Sequence, residues 1–246
     1  MASCGGHGTL EALQLSRTLE DAGVPCCFCG VSALIYYGAE RVRDEWEICV
    51  PTELMQRAES LLKSDLYANT YLSIPPHPYP QPQSLAHVYP WFKAVGVEFY
   101  FILTPSHDLH FECETSNIER SHRGLPFPKL SVLLQSFLET ANELSLCDAV
   151  DGTDISEQWG VDNLDLDGIN DLAWASVMNK AITDSCPHLI MFGLIPTKEI
   201  SKRELWESVV RKKDHRRGWT QPGELFSTRF RLHGSPDPWL EPRESC

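Results

Sequence analysis

No apolar run in this 246-residue sequence approaches the roughly 20 residues of a membrane-spanning helix, and Met1 to Gly8 carries neither the basic nor the apolar stretch of a leader. A cytoplasmic protein without a membrane partner is the expectation. Positive charge is also short: 21 Lys and Arg stand against 34 Asp and Glu, for a formal net charge of -13. That balance argues against a general nucleic-acid coat protein, which needs a broad basic surface for phosphate contacts. Paired cysteines are missing as well. The nine cysteines are odd in number and scattered, which favours reduced thiols packed as small hydrophobes over a disulfide framework. Cys26 and Cys29 make a lone C-x-x-C inside an apolar run, and without a second pair that spacing makes little case for metal or redox chemistry.

What is present suits a folded protein. Hydrophobic residues make up 42% of the chain, enough to bury a core and to exclude wholesale disorder. The charge is uneven: residues 198–246 hold eleven Lys and Arg against eight Asp and Glu, so the remainder carries a net of -16. An acidic body with a basic end region permits a localised phosphate site.

Along the chain, Thr9 is positioned to cap a helix reaching about Ala22, with Gly23 as its stop. Cys26 to Cys29 reads as a short strand ended by Gly30, followed by a helical segment closed by Gly38 and a second strand, Trp46 to Val50. Pro51 and Thr52 open a third helix through Leu54, Ala58, Leu61 and Leu62. Residues 73–90 crowd Pro75, Pro76, Pro78, Pro80 and Pro82 into an extended surface loop, read as a rigid excursion rather than a lid. Val97 to Leu103 reads as a strand bearing Glu98, and residues 105–128 as mostly loop, with His107 and His110 lacking a carboxylate at metal-site spacing.

Phe127 to Leu146 carries the apolar stripe of one helix. Residues 148–171 form an acidic connection, in which Asp165 to Gly168 lacks the ordered ligands of a calcium loop. A helix follows near Leu172 to Thr183, and Ser201 with Glu204 forms a capping-box start for another. Beyond it, Arg211, Lys212, Lys213, Arg216, Arg217, Arg229 and Arg231 interleave with Trp219, Phe226 and Phe230, a pattern suited to phosphate contacts and base stacking. The chain is thus expected to divide into a core over 1–125 and a mainly helical region over 126–246.

The strand, Gly30-Val31-Ser32 turn, helix, and Glu45-Trp46-Glu47 strand resemble the nucleotidyltransferase fold, whose signature is a Gly-Gly or Gly-Ser turn followed by Asp-x-Asp. The resemblance implies an α/β fold, a nucleotidyltransferase-like mixed sheet with flanking helices. It also implies roles for residues. Glu45, Glu47 and Glu98 would hold Mg2+ around a nucleoside triphosphate, and the turn at Gly30 and Ser32 would cradle phosphate.

Here Glu replaces Asp at both positions of the pair, Val31 stands beside the turn and bulky Trp46 separates the acids. A changed reaction or a non-catalytic binding protein therefore stands beside metal-dependent nucleotidyl transfer. The altered core and the Thr228-Arg229-Phe230-Arg231 stretch also look similar to fungal arginine-containing cyclodipeptide synthases. That similarity implies an aminoacyl-tRNA-dependent transferase making an arginine-containing cyclodipeptide without a cofactor. Its basic end, Arg216, Arg229 and Arg231, would hold the tRNA, and its carboxylates would bind a guanidinium or move a proton.

Overall fold

The structure, a computed structural model, describes residues 8–39, 41–43, 45–76, 81, 83–186 and 194–219. Arg229 and Arg231 lie outside them, as do Phe226, Phe230 and the prolines at 78, 80 and 82. Within this range the expected opening is present in order: α1 (Thr9–Asp21), β1 (Cys27–Phe28), α2 (Gly30–Tyr36), β2 (Trp46–Val50) and α3 (Met55–Leu62). Gly8, not Thr9, occupies the N-cap of α1, with φ 67. Three further strands, β3 (Tyr71–Ile74), β4 (Trp91–Ala94) and β5 (Tyr100–Pro105), complete a five-stranded mixed sheet of order β1-β2-β5-β4-β3. Among the described strands only β2 and β5 run parallel, with Glu47 opposite Ile102. The fold is therefore mixed α/β, with helices flanking a mixed sheet.

Alternation along β1 and β2 gives the sheet two different faces. Phe28, Ile48 and Val50 enter the principal core with Leu15 and Leu19 of α1 and Ala58 and Leu62 of α3. Cys27, Cys49 and Glu47 point the other way, onto the face that residues Leu109, Phe111 and Cys113 cover. The 105–128 segment is more ordered than its composition implies. It carries a small hairpin, β6 (Ile118–Arg120) with β7 (Pro126–Pro128), against which α2 docks by stacking Tyr36 on Phe127 at 4.2 Å.

The single helix expected over Phe127 to Leu146 is divided. Phe127 lies in β7, and α4 (Leu130–Glu139) ends before Ala141, which adopts φ 51. Asn142 then caps α5 (Glu143–Thr153) by accepting from Ser145 N at 3.1 Å. The apolar stripe runs through this break, so periodicity could not show it. Next come α6 (Glu157–Asn163), α7 (Leu172–Ser185), α8 (Lys202–Arg211) and α9 (Lys213–Trp219). Ser201 caps α8 as its sequence requires, accepting from Glu204 N at 3.3 Å. One core cluster reaches from α1 to α8: Trp206 of α8 is fully buried in the same cluster as Leu15, lying over Gly160, where a methyl group would come within 2.1 Å of its ring.

The acidic connection is largely helical, and its charges meet the basic end of the described chain. Arg211 forks onto Glu157 at 2.9 and 3.0 Å, and Arg216 onto Asp151 at 2.6 and 2.9 Å. Lys213 reaches Asp154 at 2.7 Å. Lys202, only 5% exposed, sits between Glu139 at 2.9 Å and Asp165 at 3.1 Å. An exposed pair contributes about 0–1 kcal/mol. A cation as covered as Lys202 would cost roughly 3 kcal/mol or more if left unpaired.

Asp171 caps α7 by accepting from Trp174 N at 2.8 Å and also faces His110 Nε2 at 3.0 Å. The Trp174 N–H first and His110 second hold its carboxyl below the ordinary value of 3.8. A depressed folded value stabilises the fold above the unfolded value, and that stabilisation is lost as pH falls through the folded one. Asp171→Ala should therefore lower stability by about 1 kcal/mol at neutral pH. Urea denaturation should show this deficit shrinking below about pH 4; a deficit that does not change with pH would remove the carboxylate from the explanation.

Candidate functional site

The site begins with a close approach. β1 runs antiparallel to β2, and Cys29 N donates to Glu47 O at 3.0 Å, which brings the residue after Cys29 under the Glu47 side chain. That residue is Gly30, with φ 55. A methyl group placed on it would lie 2.5 Å from Glu47 Oε2. Glycine is thus required twice, for its backbone angle and for the carboxylate above it. The Glu47 carboxyl faces the Cys29 thiol, whose Sγ lies 4.0 Å from Oε2. Burial first, and the negative charge of Glu45 second, push the Glu47 carboxyl up to about 7. Glu45 and Glu47 therefore lie close enough to repel, although Glu45 precedes the strand instead of belonging to it.

Above Gly30 and Glu47 opens a pocket of about 310 Å³. Cys29, Gly30, Val31 and Glu47 form its floor; Asp108 and Phe111 form one wall, and Leu133 and Phe137 of α4, with Thr140 just beyond it, form another. Trp174 and Ile195 close it, joined by Gln81, Gln83 and Ser84 from the proline-rich segment. The described end of that segment is therefore part of the pocket wall, not the separate surface excursion expected. Gln83 Nε2 ties it down by donating to Leu194 O at 3.2 Å.

Asp108 is the acid that the sequence reading missed. It sits in a turn, Ser106–Leu109, immediately after β5, where contacts from other elements hold the backbone and side chain. Trp174 Nε1 donates to His107 O at 2.8 Å, and Ser136 Oγ donates to Leu109 O at 2.5 Å. The Tyr89 hydroxyl donates to Asp108 Oδ2, while Asp108 Oδ1 lies 3.0 Å from His107 Nδ1. Burial and the neighbouring Asp108 carboxylate push the Tyr89 hydroxyl up, so it stays protonated as the donor. A signal was available in the sequence: a carboxylate shortly beyond a strand that neighbours the Glu47 strand. His107 and His110 do not converge, since one faces Asp108 and the other Asp171.

Three other site candidates stand elsewhere. Glu98 precedes β5 on the β4-β5 hairpin, 76% exposed, and pairs with Lys93 Nζ at 2.7 Å and the Tyr100 hydroxyl at 2.6 Å. The position beside Glu47 on β5 belongs to Ile102, so Glu98 does not complete an acidic triad there. Ser32 is 2% exposed and is absent from the described pocket lining; its Oγ lies 3.5 Å from Arg43 Nη1. Arg43 in turn lies 3.5 Å over the Trp46 ring. Bulky Trp46 is thus accommodated on the core face, away from the acids. Arg216 is occupied by Asp151 and by Val209 O at 2.8 Å, far from any role in the pocket wall.

The tight approach at the floor has a measurable consequence. Gly30→Ala should cost about 2 kcal/mol or more, from the left-handed backbone and the clash with the carboxylate. Glu47→Ala removes the clash but not the backbone strain. In a double-mutant cycle read by urea denaturation, the two changes should therefore couple favourably by about 1 kcal/mol. Strict additivity would show that the carboxylate does not rest on Gly30.

No protein-family model matches this chain, and no curated protein matches it. Solved structures similar to it include ANT(2'')-Ia in complex with adenylyl-2''-tobramycin, at 10% identity over 71% of this chain and 99% of that one, with a TM-score of 0.36. The solution structure of the antibiotic-resistance factor ANT(2'')-Ia is similar at 11% identity, covering 75% of this chain and 97% of that one, with a TM-score of 0.36. JHP933 from Helicobacter pylori is similar at 11% identity, covering 84% of this chain and 89% of that one, with a TM-score of 0.36.

Proposed function

We propose that this protein is a metal-dependent nucleotidyltransferase that moves a nucleotidyl group from a nucleoside triphosphate to a hydroxyl of a small acceptor. The observation that carries the reading is the Glu47 carboxylate seated on Gly30 at the floor of a pocket whose wall presents Asp108. The negative charge of Glu45 acts on the Glu47 carboxyl, and all the proposed donors are carboxylate oxygens, the set a hard divalent cation prefers. Glu45 and Glu47 would hold Mg2+, with Asp108 as the additional pocket carboxylate. Bound there, the ion would supply charge neutralisation for the triphosphate and its pyrophosphate leaving group.

The chain's own residues account for the rest. Gly30, without a side chain, lets a ligand approach the backbone beside Val31. Asp108, oriented by Tyr89 and His107, is placed to accept the proton of an attacking hydroxyl. Leu133, Phe137, Trp174 and Ile195 give the pocket its apolar surface. The described lining includes no Lys or Arg, so the site favours a neutral or cationic acceptor and leaves nucleotide binding dependent on the divalent ion.

The aminoacyl-tRNA reading draws on the altered acidic pair, the basic end region and the resemblance to cyclodipeptide synthases. Among the described residues Arg211, Lys213 and Arg216 of that end are paired with Glu157, Asp154 and Asp151, and the described pocket lining offers no Lys or Arg to a tRNA phosphate.

The test uses labelled nucleoside triphosphates with Mg2+ and a panel of hydroxyl-bearing small molecules, including amino sugars. In a transfer the acceptor oxygen bonds to the α-phosphorus, the bond to the β-phosphate oxygen breaks, and pyrophosphate leaves. Glu47→Gln and Asp108→Asn should each lower turnover by about 100-fold or more while thermal stability is retained. A folded wild-type protein that shows no Mg2+-dependent binding of any of the four nucleotides by calorimetry would overturn the proposal.

A further inference from the structure

Behind the pocket floor, on the same face of the sheet, three cysteines meet. Cys27 of β1 and Cys49 of β2 are directly opposite one another in the antiparallel register. Cys113 arrives from the segment between β5 and β6, 86 positions from Cys27, and its Sγ lies 4.0 Å from Cys27 Sγ. All three sulfurs lie within 4.8 Å of one another. The thiols are free, and the residues are 0%, 0% and 3% exposed. Leu109, Phe111 and Ile118 pack around them.

Buried cysteine is by itself ordinary core packing. Convergence of three thiols from three separate segments on one point is a narrower arrangement. Three sulfurs held about 2.3 Å from a common ion lie roughly 3.8–4.0 Å apart, a spacing the cluster meets at Cys27 and Cys113 and reaches elsewhere with small side-chain shifts. We propose that Cys27, Cys49 and Cys113 form a binding site for one thiophilic d10 cation, Zn2+ or Cu+, on the sheet face beneath the pocket.

Binding releases the three thiol protons and forms three metal–sulfur bonds, with no change of oxidation state. The donor set is all sulfur, which disfavours Mg2+ and Ca2+ and separates this site from the carboxylates above it. Zn2+ leaves the smaller residual charge in an apolar shell, a net of -1 with three thiolates against -2 for Cu+. Structurally, the ion would join β1, β2 and the segment that carries Asp108, five residues before Cys113. Loading would therefore fix the pocket wall against its floor.

The experiment measures metal in the purified full-length chain after growth with added zinc, and separately after anaerobic addition of Cu+. About one equivalent per chain of either metal supports the site, and which of them survives competition with a chelator identifies the natural occupant. Co2+ added to the metal-free protein should give a thiolate-to-metal charge-transfer band. Cys113→Ala should lose the metal and the band, whereas Cys147→Ala, which alters a thiol outside the cluster, should keep both. Chelation should lower the melting temperature of the wild type and leave that of Cys113→Ala unchanged. If Cys113→Ala fails to fold, the wild-type stoichiometry and cobalt spectrum decide alone. A folded wild type that binds less than a tenth of an equivalent of each metal and gives no charge-transfer band overturns the proposal.

Discussion

The structure of the site depends on one steric fact: the Glu47 carboxylate occupies the space where any other residue at position 30 would carry a Cβ. The β1-β2 register fixes this meeting, because a strand slip of one residue would send Glu47 to the core face and bring a hydrophobe to the pocket. From that contact the rest is built outward. The chain leaves Gly30 as α2; Tyr36 at its end and Tyr37 just beyond it bind the β6-β7 hairpin through Glu119 and Pro128 O. The hairpin leads directly into α4, which supplies the opposite wall. The floor and one wall are thus linked through a short length of chain and a few strong contacts.

Among the described residues, several of the opposite charges meet within the fold. Read linearly, an acidic connection and a basic end look like two surfaces, one solvated and one free to bind phosphate. Folded, α5 and α6 lie against α8 and α9, and Asp151, Asp154 and Glu157 receive Arg216, Lys213 and Arg211. The Arg211–Glu157 pair is exposed at both ends, so its individual contribution is small, whereas Arg216–Asp151 and Lys213–Asp154 are each partly covered. They specify which helix face meets which once the burial of Trp206 has drawn the helices together.

What was legible in the sequence is what local chemistry dictates. The order of the first five elements, the strand at Trp46 to Val50 and the capping of α8 by Ser201 follow from glycine turns, apolar runs and an N-cap, all signals within a few residues. The pairing of Glu45 with Glu47 was legible for the same reason. Glu98 was not, since it shared only a neighbouring strand, and two chain positions of difference place it on an exposed hairpin beside Lys93. Ser32 and Arg216 were misplaced because helical position does not say which buried or charged partner will claim a side chain. Asp108 was hidden by its loop-like surroundings. Its position is set by Tyr89, Ser136 and Trp174, three partners distant from it in the chain.

The segment from Ser106 to Cys113 shows why such distant partners matter. It begins where β5 ends, places Asp108 on the pocket wall, and by Cys113 has crossed to the thiols behind the floor. Its backbone lacks the ladder that holds a strand, so its geometry comes from single bonds to other elements: Thr52 Oγ1 accepts from His107 N at 3.0 Å, and Cys113 Sγ approaches Cys49 O at 3.5 Å. Both anchors lie on or beside β2, the strand that bears Glu47. The two carboxylates of the pocket are therefore referenced to the same strand, one directly and the other through this segment. A disturbance of the sulfur cluster would thus reach Asp108 before it reached Glu47, because Glu47 is held by the sheet and Asp108 by the bonds along its segment.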